Sequence, residues 1–151
     1  MIIQDVFPQA QSWDCEIVAT DIDENMLQRV AAARYGVRSV NEVPDEYRQK
    51  YLVQDGGEYI VRSRTTALVQ ARHLNLHDRL EMRSMRGFDF VFCRNVLIYF
   101  DDLSRKSVVD HFYNALNPGG YIFLGHSESI GRVSTAFKLK RFENHLVYGK
   151  E

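Results

Sequence analysis

Short apolar runs that end in acids or turn residues alternate along this chain with stretches whose apolar residues recur every three or four positions, a pattern that predicts strands interleaved with helices. Cys15 to Asp21 reads as a strand ending in acids, and Glu24 to Ala33 carries Met26, Leu27, Val30 and Ala31 at helical spacing. Tyr51 to Gln54 and Glu58 to Arg62 flank Asp55-Gly56-Gly57, which predicts a small antiparallel insertion at about 51–68. Val69 to Leu76 is the next strand. Phe88 to Cys93 is a continuous apolar run, the kind buried on both faces of a parallel sheet. Asp101 or Asp102 can cap a helix that places Leu103, Val108, Val109, Phe112, Ala115 and Leu116 on its apolar positions, and Asn117-Pro118-Gly119-Gly120 stops it. Tyr121 to Gly125 follows as a strand, and Phe137, Leu139 and Arg141 against Leu146 and Tyr148, around Glu143-Asn144-His145, predict a terminal hairpin. The expected fold class is an α/β sheet with one mixed edge, in a single domain over residues 1–151.

Composition changes this picture little. The chain has 151 residues, 45% hydrophobic and 26% charged, with a formal net charge of -1. That is the make-up of a globular domain with a core, and it gives no general electrostatic reason to bind nucleic acid or an anionic membrane. No apolar run is long enough to span a bilayer, and residues 1–14 lack the basic and apolar regions of a signal peptide, so a cytoplasmic protein is expected. Cys15 and Cys93 lie in apolar runs without metal-ligand spacing, which predicts two buried, reduced thiols.

Ligands of open α/β sheets sit beyond the C-terminal strand ends, so the residues there are the candidates for chemistry. Asp21 could accept the hydroxyl protons of a ribose, although an acid at this place also serves as a helix cap. Asn75 could pair with a purine edge while Leu76 covers its face, or simply form a turn. Arg94 and Asn95 follow a buried strand directly, and Tyr99 lies five residues beyond Arg94; polar groups there point to a pocket. No GxGxxG or Walker loop is present, Ser127 lacks a GxSxG elbow, and His73 and His77 lack the glutamate of a zinc helix.

Phe88-Asp89-Phe90-Val91-Phe92-Cys93-Arg94-Asn95-Val96-Leu97-Ile98-Tyr99-Phe100, followed by Leu124-Gly125-His126-Ser127-Glu128-Ser129, resembles the paired signature of the CheR chemoreceptor methyltransferases. Ala19 to Asp23 and Asn75-Leu76 stand in the order that family would place them. The resemblance implies a Rossmann-like sheet and an enzyme that moves the methyl group of S-adenosylmethionine to glutamate side chains of chemoreceptors. By similarity Asp21 would hold the ribose, Asn75 and Leu76 the adenosine, and Arg94 and Asn95 the cofactor side of the pocket. Tyr99, with Arg94, would serve the reacting groups. His126, Ser127 and Glu128 would support the pocket from another strand end. The Asn/Asp-Pro-Pro-aromatic segment of amino-group methyltransferases is absent, which favours a carboxylate acceptor.

One departure matters. Complete members carry an N-terminal helical segment, a first strand and a Gly-containing turn, and nothing here matches them. The expectation is therefore a C-terminal part that lacks a central strand, associates through exchanged or abutting sheet edges, and is of doubtful activity alone. The alternative is a cofactor-free module that keeps a receptor-docking surface. The insertion resembles the β-subdomain that docks a receptor tail peptide in some members, but its short Asp55-Gly56-Gly57 turn favours a member that works without such a peptide.

Overall fold

The computed structural model describes residues 1–7, 9, 12–143 and 145–151, and the chain forms two compact units, Met1–His73 and Leu74–Glu151. The first opens with helix α1 (Ile2–Val6), strand β1 (Ile17–Asp21) and helix α2 (Glu24–Ala32). Next come strand β2 (Arg34–Gly36), helices α3 (Val37–Val40) and α4 (Asp45–Tyr51) and strands β3 (Leu52–Asp55) and β4 (Glu58–Val61). Helix α5 (Ser63–Thr66) and strand β5 (Val69–His73) close the unit.

β1 and β5 pair in parallel from Ile17↔Val69 to Asp21↔His73, so both strands end level. A parallel pair needs a crossover, and α2, packed on both strands, supplies its helix. α2 stops where Ala33 turns left-handed at φ 51. The predicted hairpin is present as β3 and β4, and it gains a strand the sequence pattern did not show: β2 pairs with β4, giving the order β2-β4-β3. Arg34 ties this small sheet by ion pairs to Asp55 at 2.9 Å and Glu58 at 3.0 Å.

The second unit holds helix α6 (Arg79–Arg83), strand β6 (Phe88–Cys93), a 3-10 turn at Leu97–Tyr99 and helix α7 (Asp102–Ala115). Strands β7 (Leu116–Leu124), β8 (Lys138–Phe142) and β9 (His145–Gly149) complete it. The sheet order is β6-β7-β9-β8, parallel between β6 and β7 and antiparallel elsewhere. This is the predicted mixed edge with its terminal hairpin. Asn144 of the hairpin turn lies outside the described residues.

Three expectations need correction. The helix does end at Ala115, but the Asn117-Pro118-Gly119-Gly120 segment lies within β7, whose ladder starts at Leu116 opposite Phe88 and shifts register before Phe90. Gly119, at φ 83, supplies the left-handed residue that this irregularity requires. Leu103 is 82% exposed and belongs to no core, because it lies in the first turn of α7 while Val108, Val109, Phe112 and Ala115 face inward. Cys93 is buried as expected, but Cys15 is half-buried, since it precedes β1 instead of lying within it.

A fourth difference concerns β6. Alternation puts Cys93 and Ile122 on one face of the sheet, where both are buried and α7 packs against β7. The opposite face is aromatic: Phe92 stacks on Phe123 with ring centroids 4.7 Å apart, Phe90 contacts Tyr121 and Phe123, and Tyr121 meets Phe142 edge-on. Phe90 and Phe92 nevertheless remain 57% and 71% exposed. The run is therefore buried on one face only. Among the described residues β6 pairs with β7 alone and β1 with β5 alone, so each keeps one edge unpaired.

Candidate functional site

In the first unit, the strand-end acids divide two tasks. The Asp23 carboxylate caps α2, accepting the Asn25 backbone N–H at 2.8 Å. That leaves Asp21, at the very end of β1, with one described hydrogen bond, accepted at Oδ1 from the Asp23 N–H at 3.0 Å. Its Oδ2 has no partner among the described residues.

In the second unit, Asn75 and Leu76 form the turn ahead of α6. The Asn75 side chain accepts the His77 N–H at 3.0 Å, and its own backbone N–H donates to Glu81 at 2.7 Å. Asp78 caps α6 through the Leu80 and Glu81 N–H groups. The Leu76 carbonyl lies 2.9 Å from His111 Nδ1 on α7, which anchors the turn to that helix. Asn75 therefore does form a turn, with its side-chain N–H2 group outside that hydrogen bond.

The turn after β6 carries the other three candidates. Arg94, Asn95 and Tyr99 are all exposed, Tyr99 at 82%. Asn95 adopts φ 60, a left-handed conformation that asparagine tolerates better than most residues. Arg105 of α7 braces the far side: its guanidinium donates to the Leu97 carbonyl at 3.3 Å and the Phe100 carbonyl at 3.0 Å. Asp101 caps α7 by accepting the Ser104 N–H at 2.8 Å, as its position predicts. The Tyr99 hydroxyl has no hydrogen-bond partner among the described residues.

The near side of the turn is held by Glu128. Its carboxylate accepts the backbone N–H groups of Asn95 and Gly125 at 2.8 Å on Oε2, and those of Val96 at 3.0 Å and Leu97 at 2.8 Å on Oε1. Sequence placed Glu128 among three supporting residues without distinguishing it from His126 and Ser127. The Gly-His-Ser-Glu spacing after a strand end was the signal. A groove of about 810 Å³ lies alongside, lined by Leu97, Ile98, Leu103, Arg105, Ser127 and Arg132 among others, and none of Arg94, Asn95 or Tyr99 lines it.

Burial pushes the Glu128 pKa up, but the four N–H donors outweigh it and hold the group below the ordinary glutamate value. A carboxylate depressed in the folded state contributes stability above its unfolded pKa of about 4.3 and loses it as pH falls through the native value. The melting-temperature gap between the wild type and Glu128→Gln should therefore be full at neutral pH and close on acidification from about pH 4.3 downward. A gap that stays constant down to acid denaturation would count against this. Burial also raises the Cys93 thiol to about 12, with the Glu128 charge adding to the effect, so this cysteine is no thiolate at neutral pH.

No cluster of His, Cys, Asp or Glu suited to a metal, and no helix long and apolar enough to cross a membrane, occurs among the described residues. Residues 1–145 match the family model described as CheR methyltransferase, SAM binding domain. Chemotaxis protein methyltransferase 2 of Vibrio cholerae is 41% identical over 95% of this chain and 50% of its own length. Chemotaxis protein methyltransferase 1 of Pseudomonas aeruginosa is 33% identical over 88% and 48%. The chain thus spans about half the length of the curated relatives it matches. Among solved structures, LepI complexed with SAM aligns over 99% of this chain and 39% of its own, with a TM-score of 0.53 at 10% identity, a likeness of fold alone.

Proposed function

Since this chain belongs to the CheR methyltransferase family, matching its S-adenosylmethionine-binding domain and sharing the Rossmann-like fold, we propose that it takes part in methylating glutamate carboxylates of chemoreceptors. The observation that carries this reading is the turn after β6. It presents Arg94, Asn95 and a Tyr99 hydroxyl without a hydrogen-bond partner among the described residues at the C-terminal end of a parallel strand, where α/β sheets bind ligands.

Within each unit the candidate residues have chemistry that suits part of the cofactor. Among the described residues Asp21 keeps one carboxylate oxygen without a partner, available to ribose hydroxyls, because Asp23 caps the helix. By similarity to the family, Asn75 and Leu76 would offer an amide and an apolar surface to the adenine, and the exposed Arg94 and Asn95 would face the cofactor. S-adenosylmethionine, when bound, supplies a methyl group activated by the adjoining sulfonium charge. A glutamate acceptor, with a pKa of about 4.3, is ionised at neutral pH and needs no general base. What the chain must supply is alignment and partial exclusion of water. The Tyr99 hydroxyl can donate a hydrogen bond to the acceptor carboxylate, and Arg94 can offset its charge.

Calorimetry with S-adenosylmethionine and its demethylated product tests the reading, with a full-length relative as reference. Asp21→Ala should weaken binding by about 1.5–3 kcal/mol, the worth of a hydrogen bond to a charged acceptor. That is roughly a tenfold to 150-fold rise in Kd. Unchanged affinity would return Asp21 to the role of a turn residue, and absence of binding by the chain when the reference binds would favour the cofactor-free docking module.

A further inference from the structure

Four backbone N–H groups converge on a single carboxylate where β6 and β7 end. Cys93 and Leu124 are neighbours in the parallel ladder, so the residues that follow them, Arg94 to Leu97 and Gly125, leave the sheet side by side. Glu128 lies between the two exits and accepts from Asn95, Val96, Leu97 and Gly125. Three of these donors are 31 to 33 residues away in sequence, so local turn geometry cannot account for them.

The chemistry of the site requires an ionised carboxylate. Its two oxygens offer about four acceptor positions, matching the four donors. A glutamine has one acceptor oxygen, and its N–H2 group would face N–H donors. The arrangement also requires Gly125: a Cβ there would lie 2.6 Å from Glu128 Oε2 and 3.0 Å from the Asn95 nitrogen. The left-handed Asn95 sits at the centre of this cluster, its N–H held by Glu128, while its side chain and that of Arg94 remain exposed.

We propose that Glu128 is a positioning residue: its carboxylate, seated over Gly125, holds the Arg94–Leu97 turn in the one shape that presents Arg94, Asn95 and Tyr99 to the cofactor and acceptor. Glu128 itself need touch neither. This rests on reading the turn as part of the S-adenosylmethionine site, and Gly125 takes part because only a residue without Cβ admits the carboxylate.

The experiment uses Glu128→Gln, Gly125→Ala and the double variant of the chain, with near-UV circular dichroism to verify packing. In amide NMR spectra the Asn95, Val96 and Leu97 signals should move and their hydrogen exchange should quicken at least tenfold in either single variant. The amides of Val108 and Ile122 should keep their protection. S-adenosylmethionine affinity should fall at least tenfold in each single variant and hardly further in the double one, because both changes break one latch. Unmoved turn amides in Glu128→Gln, or an unchanged affinity in a chain that binds the cofactor, would overturn the proposal, as would additive losses. Should the wild-type chain bind no cofactor, the proposed function fails for it, and the turn amides alone decide whether Glu128 holds the turn. If Gly125→Ala does not fold, Glu128→Gln still gives both readouts.

Discussion

In sedimentation velocity the purified chain is expected to run larger than a monomer, and Phe90→Lys combined with Phe92→Lys is expected to return it to one. The two rings are 57% and 71% exposed in the middle of a stacked aromatic face, and β6 beside them has an unpaired edge among the described residues. Fully burying a phenylalanine contributes about 1.5–3 kcal/mol. Unpaired backbone groups at a covered strand edge cost about 1–3 kcal/mol each. A second copy that abuts this face and edge relieves both terms at once. Losing two such rings should weaken association by about two to four powers of ten. A wild-type chain that stays monomeric at tens of micromolar would sink the idea.

Ile122→Ala is the substitution expected to cost the most stability. Ile122 is 0% exposed on the covered face of β7, paired with Val91 on one side and Tyr148 on the other. An isoleucine removed from such a site costs about 2–5 kcal/mol, from the lost transfer free energy and the cavity left behind. A domain with about 5–15 kcal/mol in total cannot absorb that unnoticed, and the melting temperature should fall by roughly 10 °C or more. Leu103→Ala is the matched control. At 82% exposure its effect should stay within about 0.5 kcal/mol. Thermal melts of the two variants decide the matter, and equal melting temperatures would show that the core has been misplaced.

Both predictions depend on which face of a strand is covered, and here pattern and packing part company. Phe88 to Cys93 is a strand with the bounds its composition predicts, because an apolar run flanked by turn residues is a local signal. The Asp101 cap and the terminal hairpin were legible for the same reason, each depending on residues within a few positions of one another. The exposure of Phe90 and Phe92 was not legible. A continuous apolar run looks the same whether one face or both are covered, and the covering element belongs to another part of the chain or to another chain.

The β2 strand was missed because Arg34-Tyr35-Gly36 has no alternation, and it becomes a strand only through pairing with β4. The candidate residues divide along the same line. Asp21, Asn75, Leu76, Arg94, Asn95 and Tyr99 could be named as candidates from sequence because strand ends and a family signature are written in consecutive residues. That Asp23 relieves Asp21 of the cap, and that Glu128 gathers four N–H groups over Gly125, only the tertiary structure decided. A carboxylate's choice among competing donors depends on distances of a few tenths of an ångström between segments more than thirty residues apart, which no run of residue types records.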